Sequence, residues 1–185
     1  MKTLGLLALS TALAAVGCVS VVPDPPNEEN HRLRFVAQSG VATAKGRFAR
    51  WRVVDANVDE ARLDESFVEI EIDVTSIESG ISGRDDHLRD PDFFEVERWP
   101  TAHVRVHGVR PSGEPERYDA KFEVRIRDER HTLDGSFDVV SRHPLVVAGE
   151  ITIDRVRFGV GEAPSAWNPL DVNTDVVVSF RAALE

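Results

Sequence analysis

Arg84, Asp85, His87 and Arg89 stand within six positions of one another. A carboxylate set among guanidinium groups and an imidazole permits two roles. The group can hold the polar head of a ligand, or it can pair internally and fix a short helix, with His87 as a hydrogen-bonding member. Catalytic arrangements are harder to assemble. His103 and His107 share a strand face but lie roughly 13 Å apart at the usual strand rise, too far to bind one metal ion. Asp85 and Asp86 are neighbours on a helix, so they point apart and do not form a carboxylate dyad. Ser, His and Asp all occur, but without a Gly-x-Ser-x-Gly elbow, and a Gly-rich phosphate loop is absent. The expectation is a protein with no catalytic residue, no metal site and no cofactor. A lipid isomerase or hydrolase relying on His87 is the enzymatic alternative.

The cluster lies in Ile81–Ala102, a stretch of alternating charges with a Phe pair and Trp99, between two segments that read as strands. Connections of this length are usually functional or disordered, and this one is too aromatic for a disordered linker. Asp85, Asp86, Leu88 and Arg89 suit a short helix that Pro91 ends. Asp92 can cap a second turn carrying Phe93 and Phe94, two rings placed to plug one end of a barrel.

Elsewhere from Arg32 onward the period is two. Val68, Ile70, Ile72 and Val74 alternate with acidic residues, and Val104 and Val106 with His103, Arg105 and His107. The same holds for Phe122, Val124 and Ile126, and for Leu133, Phe137 and Val139. Leu145, Val147, Ile151 and Ile153 share one parity, and Val176, Val178, Phe180 and Ala182 another. Such alternation marks antiparallel strands with one wet and one dry face. With Leu33–Ala37 and Val41–Trp51 the count is about eight strands, enough to close a small barrel around one ligand. A two-sheet sandwich fits the same periodicity. The expected fold class is all-β, with a short helical insertion. Val68, Ile70, Ile72, Val104, Val106, Phe122, Val124, Ile126, Phe137, Ile151, Val178 and Phe180 have the parity to line a cavity, and equally to fill a solid core.

The first residues carry one positive charge at Lys2, an apolar run from Leu4 to Val16 and small residues before Cys18. Residues 1–17 are therefore expected to be a secretory signal peptide. Ala15-Val16-Gly17-Cys18 resembles a lipobox, and Cys18 is the only cysteine of the chain, so lipidation there, with palmitate-type acyl chains, is expected to provide a membrane anchor. Residues 18–30 read as the lipidated Cys and a flexible tether, and 31–185 as one domain. The residue after Cys18 is Val19 and not Asp, which under family-level sorting rules favours the outer membrane, with the domain facing the periplasm. A net charge of −10 and a pI near 5.1 argue against nucleic acid and anionic headgroups as partners. A homodimer is left open.

Ser76-Ile77-Glu78-Ser79-Gly80, Arg84-Asp85-Asp86-His87-Leu88-Arg89-Asp90-Pro91-Asp92-Phe93-Phe94 and Trp99-Pro100-Thr101-Ala102 resemble the signature of the YceI-like family. Ser39-Gly40-Val41 through Phe48, and Asp154-Arg155-Val156-Arg157-Phe158-Gly159, resemble its opening strands and a late loop. Two departures are Asp128-Glu129-Arg130-His131 in place of a Gly-Val-Thr-Lys-Pro turn, and Asp154 and Arg157 where Asn and Asp are usual. The resemblance implies a lipocalin-like antiparallel β-barrel, exported, whose interior binds a long-chain isoprenoid or fatty-acyl lipid; joined to the strand count it gives an eight-stranded barrel, and the polar cluster offers Arg84 and His87 as candidate head contacts. The alternative is a non-enzymatic envelope interaction domain with a solid core that uses the barrel exterior.

Overall fold

The computed structural model describes residues 29–165 and 167–184. The expected signal peptide, Cys18 and all but the last two tether residues lie outside them. The described chain is a single antiparallel sheet of ten strands: β1 (His31–Ser39), β2 (Thr43–Phe48), β3 (Trp51–Asn57), β4 (Phe67–Asp73), β5 (Ile77–Glu78), β6 (Thr101–Pro111), β7 (Arg117–Ile126), β8 (Glu129–Arg142), β9 (Leu145–Asp154) and β10 (Val172–Leu184). One helix, α1 (Ser82–Arg89), and 3-10 turns at Leu63–Glu65, Val74–Ser76 and Arg155–Phe158 complete it.

The sheet order is β3-β4-β6-β7-β8-β9-β10-β1-β2-β5. The sheet thus begins at β3 and, apart from the two-residue β5, ends at β2, and only Ala49 and Arg50 separate β2 from β3 in the chain. The sheet must therefore curl until its ends meet there. Expected strand Val41–Trp51 is in fact divided. The Ser39 amide bonds to the Ala42 carbonyl (2.8 Å), delaying β2 to Thr43. At Ala49–Arg50 the strand then changes partner, from β1 on one side to β4 on the other. With β2 and β3 counted as one bent strand and the two-residue β5 left aside, the eight staves of the expected barrel remain.

Backbone groups freed at that bend find partners in the Val74–Ser76 turn. The Ala49 amide donates to the Ser76 carbonyl (3.1 Å), the Arg50 amide to Ser76 Oγ (2.9 Å) and the Asp73 amide to the Arg50 carbonyl (3.0 Å). His31 crosses the same seam from β1. Its ring stacks on Trp51 at 3.7 Å, and Nε2 lies 3.0 Å from the Trp51 carbonyl, so that nitrogen carries the proton. Burial holds the His31 pKa below the ordinary imidazole value, against the opposing pull of the Trp51 carbonyl. Protonation is thus disfavoured in the fold. Its stabilising contribution is complete above the unfolded pKa of about 6.5 and is lost as pH falls from there through the folded value. Thermal melts at pH 7.5 and 5.5 are expected to show a smaller acid-induced drop for His31→Gln than for the parent.

Inward-facing side chains form two contiguous clusters. One is centred on Phe122, Val124, Ile151 and Phe158, and the other on Trp51, Ile72, Val74 and Ala182. Large rings need small neighbours. On β2 a Cβ at Gly46 would come within 2.3 Å of the Phe35 ring and 2.6 Å of the Glu78 carbonyl. A β5 carbonyl cannot swing aside as a side chain can, so Gly46→Ala is expected to destabilise the fold by about 1–3 kcal/mol. Urea denaturation measures this.

Candidate ligand-binding site

The barrel encloses a cavity of about 400 Å³, within the size range of small-molecule sites. Its wall is overwhelmingly apolar. Val68, Ile70 and Ile72 of β4, Val104 and Val106 of β6, and Phe122, Val124 and Ile126 of β7 all border it. So do Phe137 of β8, Ile151 of β9, and Val178 and Phe180 of β10. Strand pairing explains the convergence: Ile70 faces Val104, Val104 faces Val124 and Phe137 faces Gly149, each pair on the same side of the curled sheet. Arg84 and His87 border the same space at the α1 end. The interior is a chamber and not a filled core.

Further wall residues have inward parity but were not among the expected contacts: Leu33 and Phe35 of β1, Val147 and Ile153 of β9, and Val176 and Ala182 of β10. Trp51 lines the wall at the strand bend, where a single period of two no longer applies. Leu63 reaches the chamber from the β3–β4 connection, which carries no strand signal. Five polar wall residues, Glu60, Ser66, Tyr118, Arg142 and Arg155, also lie outside the expected set. Tyr118 shares the parity of Phe122, so that one was visible in the sequence.

At the α1 end the charged cluster is largely tied to protein. Asp85 accepts the Ser79 amide (2.7 Å) and the Ser79 hydroxyl. Arg84 donates Nε to Ser79 Oγ (2.7 Å) and Nη2 to the Ser79 carbonyl (2.7 Å). Arg89 spans to the Thr75 and Ile77 carbonyls (3.1 and 2.8 Å). These bonds bolt α1 to the segment after β4. His87 Nδ1 lies 3.4 Å from Asp90 Oδ2, and its ring meets Phe93 edge-on at 4.8 Å. The helix ends at Arg89 ahead of Pro91, and Phe93 and Phe94 pack inward against the cores, bordering the chamber. Arg127 holds this lid, donating to the Phe93 carbonyl (2.9 Å) and to Glu95 (2.7 Å). Among the described residues no group of three or more His, Cys, Asp or Glu could hold a metal ion.

The two departures from the family pattern meet each other. Asp154 caps the Arg155–Phe158 turn, its carboxylate accepting the Val156 and Arg157 amides (3.1 and 3.3 Å) as an Asn would. His131 Nε2 lies 3.0 Å from the Arg157 carbonyl, and Arg157 Nη2 lies 3.2 Å from His131 Nδ1. The altered turn and the altered loop are therefore locked together.

A curled antiparallel sheet whose two ends meet at the Ala49–Arg50 bend, with an apolar chamber inside and a helix at one end, is the architecture of lipocalin-like barrels. The chain belongs to the YceI-like family: the model of the YceI-like domain matches residues 26–184. A UPF0312 protein of Azotobacter vinelandii is 30% identical over 118 residues, which cover 61% of this chain and 60% of that protein. The chain thus aligns with somewhat less than two thirds of that relative's length. Among solved structures, BcnA of Burkholderia cenocepacia superposes with a TM-score of 0.74 at 19% identity, covering 84% of this chain and 96% of BcnA. A polyisoprenoid binding domain from Saccharophagus degradans, implicated in plant cell wall breakdown, gives 0.61 at 18% identity, covering 83% and 94%. The Campylobacter jejuni YceI protein gives 0.63 at 16%, covering 78% and 87%. These likenesses establish a shared fold.

Proposed function

We propose that this protein binds a long-chain hydrophobic molecule, an isoprenoid or a fatty-acyl lipid, inside the barrel, and carries or stores it in the cell envelope without chemically altering it. The observation that carries this reading is the apolar chamber of about 400 Å³ built from inward residues of successive strands. Apolar burial is worth roughly 25 cal/mol per Å², so a long hydrocarbon chain gains far more from such a wall than a polar ligand does. The description of the Saccharophagus relative as polyisoprenoid binding is in keeping with it. Titration with geranylgeraniol and with palmitate, each displacing a fluorescent polyene fatty acid, tests the proposal. Saturable displacement by either is expected, and displacement by neither would defeat it.

We further propose that the protein is exported and anchored through Cys18. Cys18 follows an apolar run with small residues before it, and acyl chains there would hold the domain at the membrane, facing the periplasm. Cys18→Ser in the full chain is expected to move the protein from the membrane pellet to the soluble fraction after cell fractionation. Unchanged pelleting would count against acylation.

A further inference from the structure

We propose that the polar head of the ligand sits at the chamber end remote from α1, against Tyr118 and Arg142, and that this head is an uncharged oxygen-bearing group, an alcohol or carbonyl, and not a phosphate. This rests on the reading of the chamber as a hydrophobic-ligand site. The two ends are well separated. Strand β6 starts at Thr101 opposite Asp73, close in sequence to the Thr75 and Ile77 carbonyls that hold Arg89 of α1, and finishes at Pro111 opposite Tyr118, roughly 30 Å away at 3.3 Å per residue.

Arg142 faces the chamber because β8 is irregular. Val139 pairs with Val147, Ser141 with Val146 and Arg142 with Leu145, which leaves Val140 as an extra, exposed residue. Val147 and Leu145 both line the chamber, so their partners Val139 and Arg142 face inward. An unbroken strand would place Ser141 inside and Arg142 in solvent. A bulge that re-aims one side chain is a device strands use beside functional sites.

The contacts of Arg142 are exchangeable. Nη1 meets Glu60 (3.1 Å), and Nη2 meets Glu116 (2.7 Å) and the Tyr118 hydroxyl (3.4 Å). Glu60 and Glu116 are 73% and 52% exposed, and ion pairs of that kind add little to stability. Tyr118 accepts from Arg142, while among the described residues its own hydroxyl proton has no acceptor. A ligand oxygen can take it. Two carboxylates against one guanidinium make this end net negative, which repels a phosphate and leaves an alcohol or carbonyl unaffected. At the α1 end, Arg155 gives its donors to backbone carbonyls, Arg84 donates to Ser79 and Arg89 to the Thr75 and Ile77 carbonyls and Asp86, and Phe93 and Phe94 supply apolar closure. That end suits the hydrocarbon tail.

Two probes with one tail separate head from chain: geranylgeraniol and geranylgeranyl monophosphate, titrated at pH 7.5 into the parent, Tyr118→Phe, Arg142→Met and Glu60→Gln/Glu116→Gln. The alcohol is expected to bind the parent at least tenfold more tightly than the phosphate. Tyr118→Phe, which removes one oxygen, is expected to weaken the alcohol roughly three- to tenfold, with Arg142→Met in the same direction. Glu60→Gln/Glu116→Gln is expected to narrow the gap by strengthening the phosphate. Equal binding of both probes, or alcohol affinity unchanged in Tyr118→Phe and Arg142→Met, overturns the placement and leaves the hydrophobic-ligand reading standing. Failure of the alcohol to bind the parent defeats the placement, and if palmitate also fails the hydrophobic-ligand reading falls with it.

Discussion

Arg155→Met is expected to destabilise the barrel by on the order of 3 kcal/mol or more. Arg155 is only 8% exposed, and its guanidinium donates to backbone carbonyls alone: Asn173 (3.0 Å), Val160 (2.7 Å), Glu162 (2.8 Å) and Val172 (2.6 Å). Asp154 and Asp171 favour its charge, but burial outweighs them and lowers its pKa. One side chain thus fastens the turn after β9, the following loop and the start of β10. Gly161 is fitted to it: φ there is +69°, and a Cβ would stand 2.7 Å from the Arg155 guanidinium. Methionine supplies similar length without donors, leaving four carbonyls short of a partner, each worth about 1–3 kcal/mol if water cannot reach it. Arg155→Lys restores one ammonium and is expected to recover part of the loss. Urea denaturation of the three proteins decides the matter, and a parent-like midpoint for Arg155→Met would refute this role.

The second large effect concerns the chamber. Val106→Phe together with Val178→Phe is expected to reduce ligand uptake at least tenfold while the protein stays folded. Both valines line the void, Val106 opposite Phe122 on β7 and Val178 opposite Ile151 on β9. Two phenyl rings directed into free space occupy volume that the hydrocarbon chain would use. Directed into a filled core, the same rings would force strain of about 1–3 kcal/mol each. The double variant therefore distinguishes a chamber from a packed interior by two readouts, the melting midpoint and displacement of the polyene probe. A collapsed fold would argue for a packed interior. Retained stability with undiminished uptake would place the ligand elsewhere.

Much of this architecture was legible in the sequence because strand alternation is imposed by the pleat and burial favours one face. Every expected wall position from Val68 to Phe180 does border the chamber. What the period of two could not reveal is where it breaks. At Ala49–Arg50 one expected strand divides so that the sheet can close, and the cause is a set of distant partners on the Val74–Ser76 turn. At Gly108 and Val140 bulges reset the parity, which is why Val109 and Arg142 face inward against simple counting. The cluster Arg84, Asp85 and Arg89 announced itself by composition, but only geometry shows how far it is spent on Ser79, Thr75 and Ile77. Arg155 stood in a motif whose purpose is invisible until the four carbonyls around it are known.

Native mass spectrometry of the protein purified from export-competent cells decides whether the chamber holds a lipid. The expected result is a bound species that survives gentle ionisation, is released on denaturation and has the mass of an isoprenoid or fatty-acyl lipid, or else uptake of one such molecule per chain when the stripped protein is incubated with geranylgeraniol or palmitate. Protein that emerges free of lipid and takes up neither would contradict it.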